Sequence, residues 1–257
     1  MRTFVIGDIH GCLDLFEVLI ARLEPTQDDH VVLAGDLLDK GPDPVGVVRR
    51  ARALAARSRV SLVLGNHEDR HARFRRHEAA RTRTGRANPI EATDELRHAR
   101  AHLDEADIAF LESGTLHLAL PEHGAVVVHA GIPPSVDRLP SERDLAAMPR
   151  DVRKRYDQLL RVRHVDTRGW MVPLGQEGPH THYWAETYDG RFGHVYFGHE
   201  PFVSASEPVR YPHATGLDLG ACFGNRLAAV ILVGKAAPVF VTVPATRAWA
   251  QPLSPRA

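Results

Sequence analysis

Three short apolar segments in the first quarter of the chain are each followed at once by glycine and then by aspartate or asparagine, and this repeated pattern constrains the fold most. The segments and the residues that follow them are 4–6 with Gly7-Asp8, 30–34 with Gly35-Asp36, and 61–64 with Gly65-Asn66. Between them, helical periodicity covers residues 13–23, and an alanine- and arginine-rich helical pattern covers residues 44–57. Short strands that alternate with helices predict a parallel βαβαβ unit.

The side chains just beyond these three strands are predicted to converge, because the carboxyl ends of parallel strands meet at one edge of a sheet. They are Asp8, His10, Asp36, Asn66 and His67. This mixed set of carboxylate, imidazole and amide donors suits borderline divalent metals such as Mn, Fe or Zn. The two-residue step from Asp8 to His10 lets one glycine-flanked turn direct both side chains at the same ion. Structural zinc is disfavoured because there is no cluster of cysteines.

The rest of the chain predicts a second sheet packed on the first. Residues 70–112 are helical and highly charged, with a break at Asn88-Pro89, and are interpreted as a cap or surface insertion. Residues 133–191 are polar and irregular, and residues 245–257 are interpreted as a frayed C-terminal tail that follows one domain over residues 1–244. The later strands are predicted at 116–120, 124–129, 195–198, 214–219, 227–233 and 238–243.

Composition limits the classes of protein that this chain can be. With 257 residues and 44% apolar side chains, it can bury the core of one sizeable α/β domain. Lysine plus arginine and aspartate plus glutamate each total 32, so no overall charge draws the chain to nucleic acid or membrane. The sequence has no apolar leader, no apolar run of bilayer length and only Cys12 and Cys222 as cysteines. These features predict a cytoplasmic protein with reduced thiols.

The motifs, taken together, resemble those of the calcineurin-like metallophosphoesterases. Within that family they are most similar to the phosphoprotein phosphatase group, which includes bacterial symmetrical diadenosine tetraphosphatases and bacterial serine/threonine protein phosphatases. The resemblance also covers residues 215–225, which look like the closing strand pair of the group. The matching motifs are Gly7-Asp8-Ile9-His10-Gly11, Gly35-Asp36-Leu37-Leu38-Asp39-Lys40-Gly41, Gly65-Asn66-His67-Glu68, Val128-His129-Ala130-Gly131 and Phe197-Gly198-His199-Glu200.

This resemblance implies a fold, a metal centre and a reaction. The implied fold is an α/β, four-layer αββα sandwich of two mixed β-sheets, with residues 1–244 as the catalytic domain. The cofactors would be two divalent metal ions, with Mn²⁺ favoured and Fe, Zn or Ni as alternatives, and the reaction would be attack of a metal-activated hydroxide on phosphorus. The implied ligands are Asp8, His10 and Asp36 for the first ion, and Asp36, Asn66, His129 and His199 for the second.

The same resemblance assigns roles outside the metal shell. His67 would protonate the leaving oxygen, and Asp39 would orient that imidazole and favour its charged form. The chain departs from the family at Lys40, where arginine is usual, so a point charge would replace a bidentate fork on the phosphate. Arg161 or Arg163 resembles a later arginine of the group that contacts phosphate.

Several hypotheses about the substrate stay open. The hypothesis favoured by the late motifs is hydrolysis of a phosphomonoester or phosphoanhydride, with a bis(5'-nucleosyl) tetraphosphate as the small-molecule substrate. A serine/threonine protein phosphatase and a nucleic-acid end phosphatase share the same ligand set. A non-catalytic scaffold on the same fold is the alternative from another class. The arginine-rich residues 70–86 are interpreted as a solvated helix face, with a rim that attracts polyphosphate or nucleic acid as the alternative.

Overall fold

The computed structural model describes residues 1–252, which form two five-stranded mixed β-sheets. In spatial order, the first sheet contains β13 (Val239–Pro244), β12 (Arg226–Leu232), β1 (Thr3–Ile6), β2 (His30–Leu33) and β3 (Arg59–Leu62). Strands β1, β2 and β3 are parallel, as predicted, and β12 is antiparallel to both of its neighbours. The first and the last parts of the chain therefore share one sheet.

The second sheet is built from the middle of the chain. In spatial order it contains β10 (Val209–Arg210), β11 (Ala214–Gly216), β9 (His194–Phe197), β5 (Ala125–Val128) and β4 (His117–Leu120). The three inner strands are parallel, and the two outer strands are antiparallel to them. Residues 133–191, predicted to be irregular, also contain a small sheet of β7 (Met171–Val172), β6 (His164–Val165) and β8 (His182–Tyr183).

Residues 1–252 contain eight α-helices. They are α1 (Leu13–Leu23), α2 (Pro44–Leu54), α3 (Asn66–Thr84), α4 (Asp94–His102), α5 (Glu105–Glu112), α6 (Glu142–Ala147), α7 (Arg150–Arg153) and α8 (Trp184–Thr187). Helices α1 and α2 pack against strands of the first sheet, and α6 and α8 contribute side chains to the cluster on the second sheet. The start of α2 has a clear local cause, because the side chain of Asp43 accepts a hydrogen bond from Gly46 N at 2.7 Å and Pro44 occupies the first turn. Within residues 1–252, none of the helices has both the length and the apolar character needed to cross a bilayer.

The core is divided into three layers by the alternation of side chains along the strands. Phe4 and Ile6 of β1 pack with Phe16 of α1, whereas Val5 lies in a separate cluster with Val127 of the second sheet. A third cluster, which includes Trp184, covers the other face of the second sheet. Helix, sheet, sheet and helix therefore follow one another, and the predicted αββα sandwich is confirmed.

The segment 70–112 is helical with a break, as predicted, but its first helix begins earlier than the pattern indicates. Helix α3 starts at Asn66 and ends at Thr84, and the next residue, Gly85, caps it with a left-handed φ of 70°. In the break, the side chain of Asn88 donates hydrogen bonds to the carbonyl of Phe74 and to Glu78. Helix α5 packs against α2, at the outer side of the first sheet.

The described part of the C-terminal tail is attached to the domain. Ala245 N donates to the carbonyl of Asn225 at 2.7 Å, and Trp249 N and Ala250 N both donate to the carbonyl of Cys222. The tail is therefore not frayed over residues 245–250. Residues 253–257 of the predicted tail lie outside the described residues.

Candidate active site

The six predicted metal ligands all follow the carboxyl ends of parallel strands. The first sheet supplies four of them from the loops after β1, β2 and β3, and the second sheet supplies two from the loops after β5 and β9. In chain order they are Asp8, His10, Asp36, Asn66, His129 and His199. The face-to-face packing of the sheets brings these loops together at one end of the sandwich.

Asp36 lies at the centre of this cluster and is almost fully buried. Its Oδ2 lies 3.4 Å from Nε2 of His10, and its Oδ1 lies 3.4 Å from Nε2 of His129. Burial opposes the ionised form of this carboxyl, but the imidazoles of His129 and His67 outweigh burial and hold the pKa of Asp36 well below its usual range. One carboxylate therefore faces imidazoles on both sides.

Hydrogen bonds to carbonyl oxygens fix the tautomers of two histidines. Nδ1 of His10 donates to the carbonyl of Leu38 at 2.9 Å, and Nδ1 of His129 donates to the carbonyl of Ala34 at 2.9 Å. Because a carbonyl only accepts, Nδ1 of each ring carries a proton, and the neutral form of each ring has its lone pair on Nε2, the nitrogen that faces Asp36. Burial, together with the charge of Lys40, lowers the pKa of His10, so the neutral form that binds metal is favoured.

Two buried polar atoms at this site have no hydrogen-bond partner within residues 1–252. They are Oδ1 of Asp8 and Nε2 of His199, whereas Oδ2 of Asp8 accepts from the backbone N of His199 at 3.0 Å. Burial, and then the neighbouring carboxylates of Asp218 and Asp36, raise the pKa of Asp8 well above its usual value. Unpaired buried donors and acceptors are costly, and a cation placed among them satisfies both atoms.

The donor atoms form two groups that share Asp36. His10, Asp36 and His67 form one group and Asp36, His129 and His199 form the other, with the donor atoms of each within 4.8 Å of one another. Asn66 Oδ1 adds an amide oxygen 3.0 Å from Nε2 of His129. Mixed oxygen and nitrogen donors in two groups with one common carboxylate fit a pair of divalent ions.

Backbone strain is concentrated at this cluster. Six non-glycine residues within residues 1–252 have a left-handed φ, and all but Glu24 lie here. These are His10, Asp36, Asp39, Lys40 and His199, with φ between 44° and 67°. Such strain persists only where the surroundings hold it, and it is characteristic of functional sites.

The sequence analysis missed the side chain that holds the strained loop after β2. The carboxylate of Glu68 is buried and accepts hydrogen bonds from the backbone N–H groups of Asp36 at 2.7 Å, Leu37 at 2.9 Å, Leu38 at 3.3 Å and Gly65 at 3.0 Å. Its place directly after Asn66-His67 was the only available signal. Glu68 is therefore a positioning residue for Asp36.

Close approach also explains two glycines of the motifs. A Cβ atom at Gly65 would lie 2.1 Å from Oδ1 of Asp36, and one at Gly198 would lie 1.8 Å from Oδ1 of Asp8. Either contact would displace the carboxylate, so no side chain fits at these two positions.

His67 belongs to the first donor group, and a buried carboxylate holds the other nitrogen of its ring. Its Nδ1 is 2.6 Å from Oδ2 of Asp39, whose Oδ1 is 2.7 Å from Nε2 of His71. Burial opposes the charged imidazole, but Asp36 and Asp39 outweigh burial and raise the pKa of His67. The sequence analysis missed His71, although its position one helical turn after His67 on α3 was a usable signal.

The cluster opens into a pocket with a volume of about 230 Å³. Lys40 and Arg163 both line it, with Lys40 Nζ 2.8 Å from Nε2 of His10. Arg163 is oriented by Glu200, whose Oε2 accepts from Nε at 2.5 Å, and by the carbonyl of His199. The structure thus brings Lys40 and Arg163 to the metal-ligand cluster.

Arg161 lies elsewhere. Its guanidinium pairs with Asp69 at 2.5 Å and lines a separate surface groove with Arg73 and Lys154. Of the described pocket-lining residues, none belongs to residues 70–112. That segment contacts the site through His71, which lies 2.7 Å from Asp39, and through Glu95, which accepts a hydrogen bond of 3.3 Å from Lys40 N.

Known proteins share these features over most of the chain. A family model described as calcineurin-like phosphoesterase matches residues 1–203. The chain is 27% identical over 239 residues to bis(5'-nucleosyl)-tetraphosphatase PrpE (asymmetrical) of Oceanobacillus iheyensis, with 89% of this chain and 88% of that protein covered. It is 29% identical to the symmetrical bis(5'-nucleosyl)-tetraphosphatase of Shewanella sediminis, with 88% and 93% covered.

A solved structure agrees with these relatives. The crystal structure of a protein provisionally described as a diadenosine tetraphosphatase has a TM-score of 0.69 and 26% identity, and it covers 95% of this chain and 93% of its own. The family uses divalent metal ions at a dinuclear site, and the two donor groups described above fit them. The chain belongs to the calcineurin-like phosphoesterase family and is a metal-dependent hydrolase of phosphoric esters or anhydrides.

Proposed function

We propose that this enzyme hydrolyses dinucleoside polyphosphates, of which diadenosine tetraphosphate is the representative. The observation that carries the proposal is a single pocket in which the two donor groups, two cationic side chains and the apolar side chains of Leu174, Pro201 and Phe223 meet. That combination suits a substrate that joins a chain of phosphates to an aromatic group. The names of relatives that match nearly nine tenths of the chain support the same substrate class.

We assign the metal ligands as the family resemblance implies. Asp8, His10 and Asp36 would hold one ion, and Asn66, His129 and His199 would hold the second together with Asp36. Two such ions, when bound, supply Lewis acidity at the phosphoryl oxygens and a hydroxide nucleophile at neutral pH. The donors mix carboxylate, amide and imidazole without thiolate, which suits Mn²⁺ as well as Fe and Zn, and Mn²⁺ is the metal proposed from the family resemblance.

The cationic side chains would hold the phosphates. Arg163 is held in place by Glu200 and the carbonyl of His199, so its orientation costs little further side-chain entropy on binding. Lys40 contributes a compact point charge in place of the usual arginine fork, which gives less geometric control over the phosphoryl group. A longer phosphate chain, held at several points, compensates for that loss better than a single phosphomonoester does.

His67 would donate a proton to the leaving phosphate oxygen. Its raised pKa favours the protonated imidazole at neutral pH, and Asp39 fixes the ring through Nδ1, so Nε2 remains for the substrate. Nε2 lies 3.8 Å from Oδ2 of Asp36, which places the proton at the edge of the cluster. General acid catalysis of this kind contributes about 10²–10⁴ in rate.

A comparison of three substrates tests the proposal. Mn-loaded protein is incubated with diadenosine tetraphosphate, a phosphoserine peptide and a 3′-phosphorylated oligonucleotide, and kcat/KM is measured for each. We expect the dinucleotide to be preferred by orders of magnitude. Two molecules of ADP as products would indicate symmetrical cleavage, and ATP with AMP would indicate asymmetrical cleavage. Preference for the peptide or the oligonucleotide would refute the substrate assignment and leave the metal site intact.

A metal analysis in the same preparation separates an enzyme from a scaffold. About two ions per chain in protein purified without chelator would support the dinuclear site. The variant Asp36→Asn, purified in the same way, sets an upper limit on the activity that contaminating phosphatases contribute.

A further inference from the structure

Three apolar side chains line the catalytic pocket together with Gln251, and the metal-ligand cluster and cationic groups do not account for them. They are Leu174, Pro201 and Phe223, and we refer to them together as the apolar wall. Leu174 is 50% exposed, on the surface loop after β7, and Phe223 is partly exposed. Such apolar surface beside charged groups is typical of a ligand subsite.

The backbone at Phe223 is held by several hydrogen bonds. It ends a 3₁₀ turn (Ala221–Phe223) between Gly220 and Gly224, whose φ values of 74° and 90° are left-handed. The carbonyl of Gly220 accepts hydrogen bonds from Phe223 N at 3.0 Å and from Asn225 N at 3.1 Å, which closes the turn. The C-terminal segment supports the turn from the other side, because Trp249 N donates to the carbonyl of Cys222 at 2.8 Å. The ring of Phe223 therefore stands on a hydrogen-bonded backbone, and only its two side-chain torsions have to be ordered when a planar ligand binds.

The apolar wall also lies next to a phosphate-binding cation. Nζ of Lys40 lies 5.0 Å from the centroid of the Phe223 ring, while the same ammonium contacts His10 of the metal-ligand cluster. A phosphate held by Lys40 therefore brings whatever is attached to it to the apolar wall. The attached group must be largely apolar or aromatic to make favourable contacts there.

The size of the pocket limits how much of the substrate it holds. Its volume of about 230 Å³ is below the roughly 300–1,000 Å³ typical of sites that enclose a drug-sized ligand. A dinucleoside polyphosphate is larger than such a ligand, so only one of its two ends fits against the apolar wall.

We propose that the apolar wall binds the nucleobase at one end of a dinucleoside polyphosphate, and that Phe223 and Leu174 are its specificity-determining residues. The inference rests on the proposed function for the identity of the substrate, but it makes its own claim. The protein should prefer a nucleotide to the same phosphate chain without a base.

Binding measurements test that claim without relying on turnover. The affinities of Mn-loaded protein for ADP and for pyrophosphate are compared by titration calorimetry, because the two ligands differ in the nucleoside. We expect ADP to bind more tightly by roughly 5- to 150-fold, the range that stacking of one base on an aromatic side chain provides. Phe223→Ala should remove most of this preference, and Phe223→Tyr should retain it.

A second variant covers the case in which Phe223→Ala fails to fold. Leu174→Ser changes an exposed side chain on a surface loop and should reduce the ADP preference by a smaller factor. Val233→Ser is the matched control, because Val233 is equally exposed at 50% and lies outside the pocket. It should leave the ADP preference unchanged.

The outcomes separate the two proposals. If wild-type protein binds ADP no more tightly than pyrophosphate, or if the folded variants keep the preference, the apolar wall is not a nucleobase site. If the preference depends on Phe223 but diadenosine tetraphosphate is not hydrolysed, the nucleobase site stands and the proposed function is wrong. If the dinucleotide is hydrolysed and the variants lower its kcat/KM more than that for tripolyphosphate, both stand.

Discussion

At the scale of single residues, Asp36 is the residue on which the proposed metal centre depends most. Both donor groups include it, its backbone is strained at a φ of 51°, and Glu68 holds its loop. We expect Asp36→Asn to remove the charge that both groups share and to lower kcat at least about 100-fold. Mutation of a residue that only contacts a metal ligand already lowers metal affinity or activity by about 10–100-fold. Metal analysis and steady-state kinetics on the same sample measure both effects. Asp28→Asn, at an exposed position, is the control, and wild-type kcat in Asp36→Asn would refute the shared role.

His67 gives a different prediction, because it is proposed to donate a proton. The variant His67→Asn should keep its bound metal and lose about 10²–10⁴ in kcat on substrates with poor leaving groups. Loss on p-nitrophenyl phosphate should be smaller, since p-nitrophenolate departs without protonation. Rates on a series of aryl phosphates measure the dependence on leaving-group pKa. An equal loss across the series would argue against an acid role.

His71 should act on the same reaction through Asp39. Its Nε2 contacts the oxygen of Asp39 that His67 does not use, so His71→Phe would leave that carboxylate free to rotate. We expect kcat to fall less than in His67→Asn, with KM and metal content unchanged. The aryl phosphate series supplies a second readout, because the sensitivity to the leaving group should shift toward that of His67→Asn. A rise in KM alone would indicate a role in substrate binding instead.

At the scale of secondary-structure elements, Asp29 joins β1 to the start of β2. Its buried carboxylate accepts hydrogen bonds from the backbone N and the guanidinium of Arg2, and from the backbone N and hydroxyl of Thr26. The hydrogen bond from the Arg2 side chain is the main reason that the pKa of Asp29 lies below its usual range. The Arg2–Asp29 ion pair therefore links the start of β1 to the loop that precedes β2.

This lowered pKa makes a prediction about acid stability. The folded state binds the proton of Asp29 less tightly than the unfolded state does, so the stabilisation is complete above the unfolded pKa of about 4 and is lost as the pH falls below it. We expect Asp29→Asn to lower the free energy of unfolding at pH 7 by about 1–3 kcal/mol. The difference from wild type should shrink toward pH 2. Urea unfolding at several pH values measures it, and a difference independent of pH would contradict the electrostatic explanation.

The sequence predicts the secondary-structure elements whose pattern is local along the chain. It does not predict the features of the fold and site that depend on contacts between distant segments. The three parallel strands and the convergence of Asp8, Asp36 and Asn66 follow from strand-end motifs that are visible along the chain. The pattern indicates helix only from residue 70, yet α3 begins at Asn66 because the Glu68 side chain accepts the N–H of Gly65 and satisfies the helix start.

Other parts of the site had no local signal. Phe223 lines the pocket only because the turn after β11 packs near the loop of Lys40. Residues 245–250 are held by hydrogen bonds to the carbonyls of Cys222 and Asn225. Arg161 and Arg163 were equivalent candidates in the sequence, and partners far along the chain separate them: Asp69 holds one and Glu200 the other. The roles of the ligands themselves remain predictions for the experiments above.

At the scale of the whole molecule, the metal centre should contribute to stability as well as to chemistry. Buried carboxylates and imidazoles from both sheets meet there, and the pKa of Asp8 is raised by burial and by neighbouring acids. Ions that bind only the folded state stabilise it by about 2.7 kcal/mol at a free concentration of 100 Kd. We expect a chelator to lower Tm, and Mn²⁺ to restore it in a concentration-dependent manner. Thermal unfolding with and without Mn²⁺ measures the shift, and Asp36→Asn should show a smaller one.

The position of β1 in the first sheet has a consequence for the synthesis of the protein. This strand contains residues 3–6, but it lies between β2 and β12, and β12 contains residues 226–232. On the ribosome, one edge of β1 therefore stays unpaired until residues 226–232 have been translated, which leaves it open to association with other strands. His129 and His199 are also translated long after Asp8. A growing chain can therefore gain hydrolytic activity only after these late segments have been translated and have paired with the early ones.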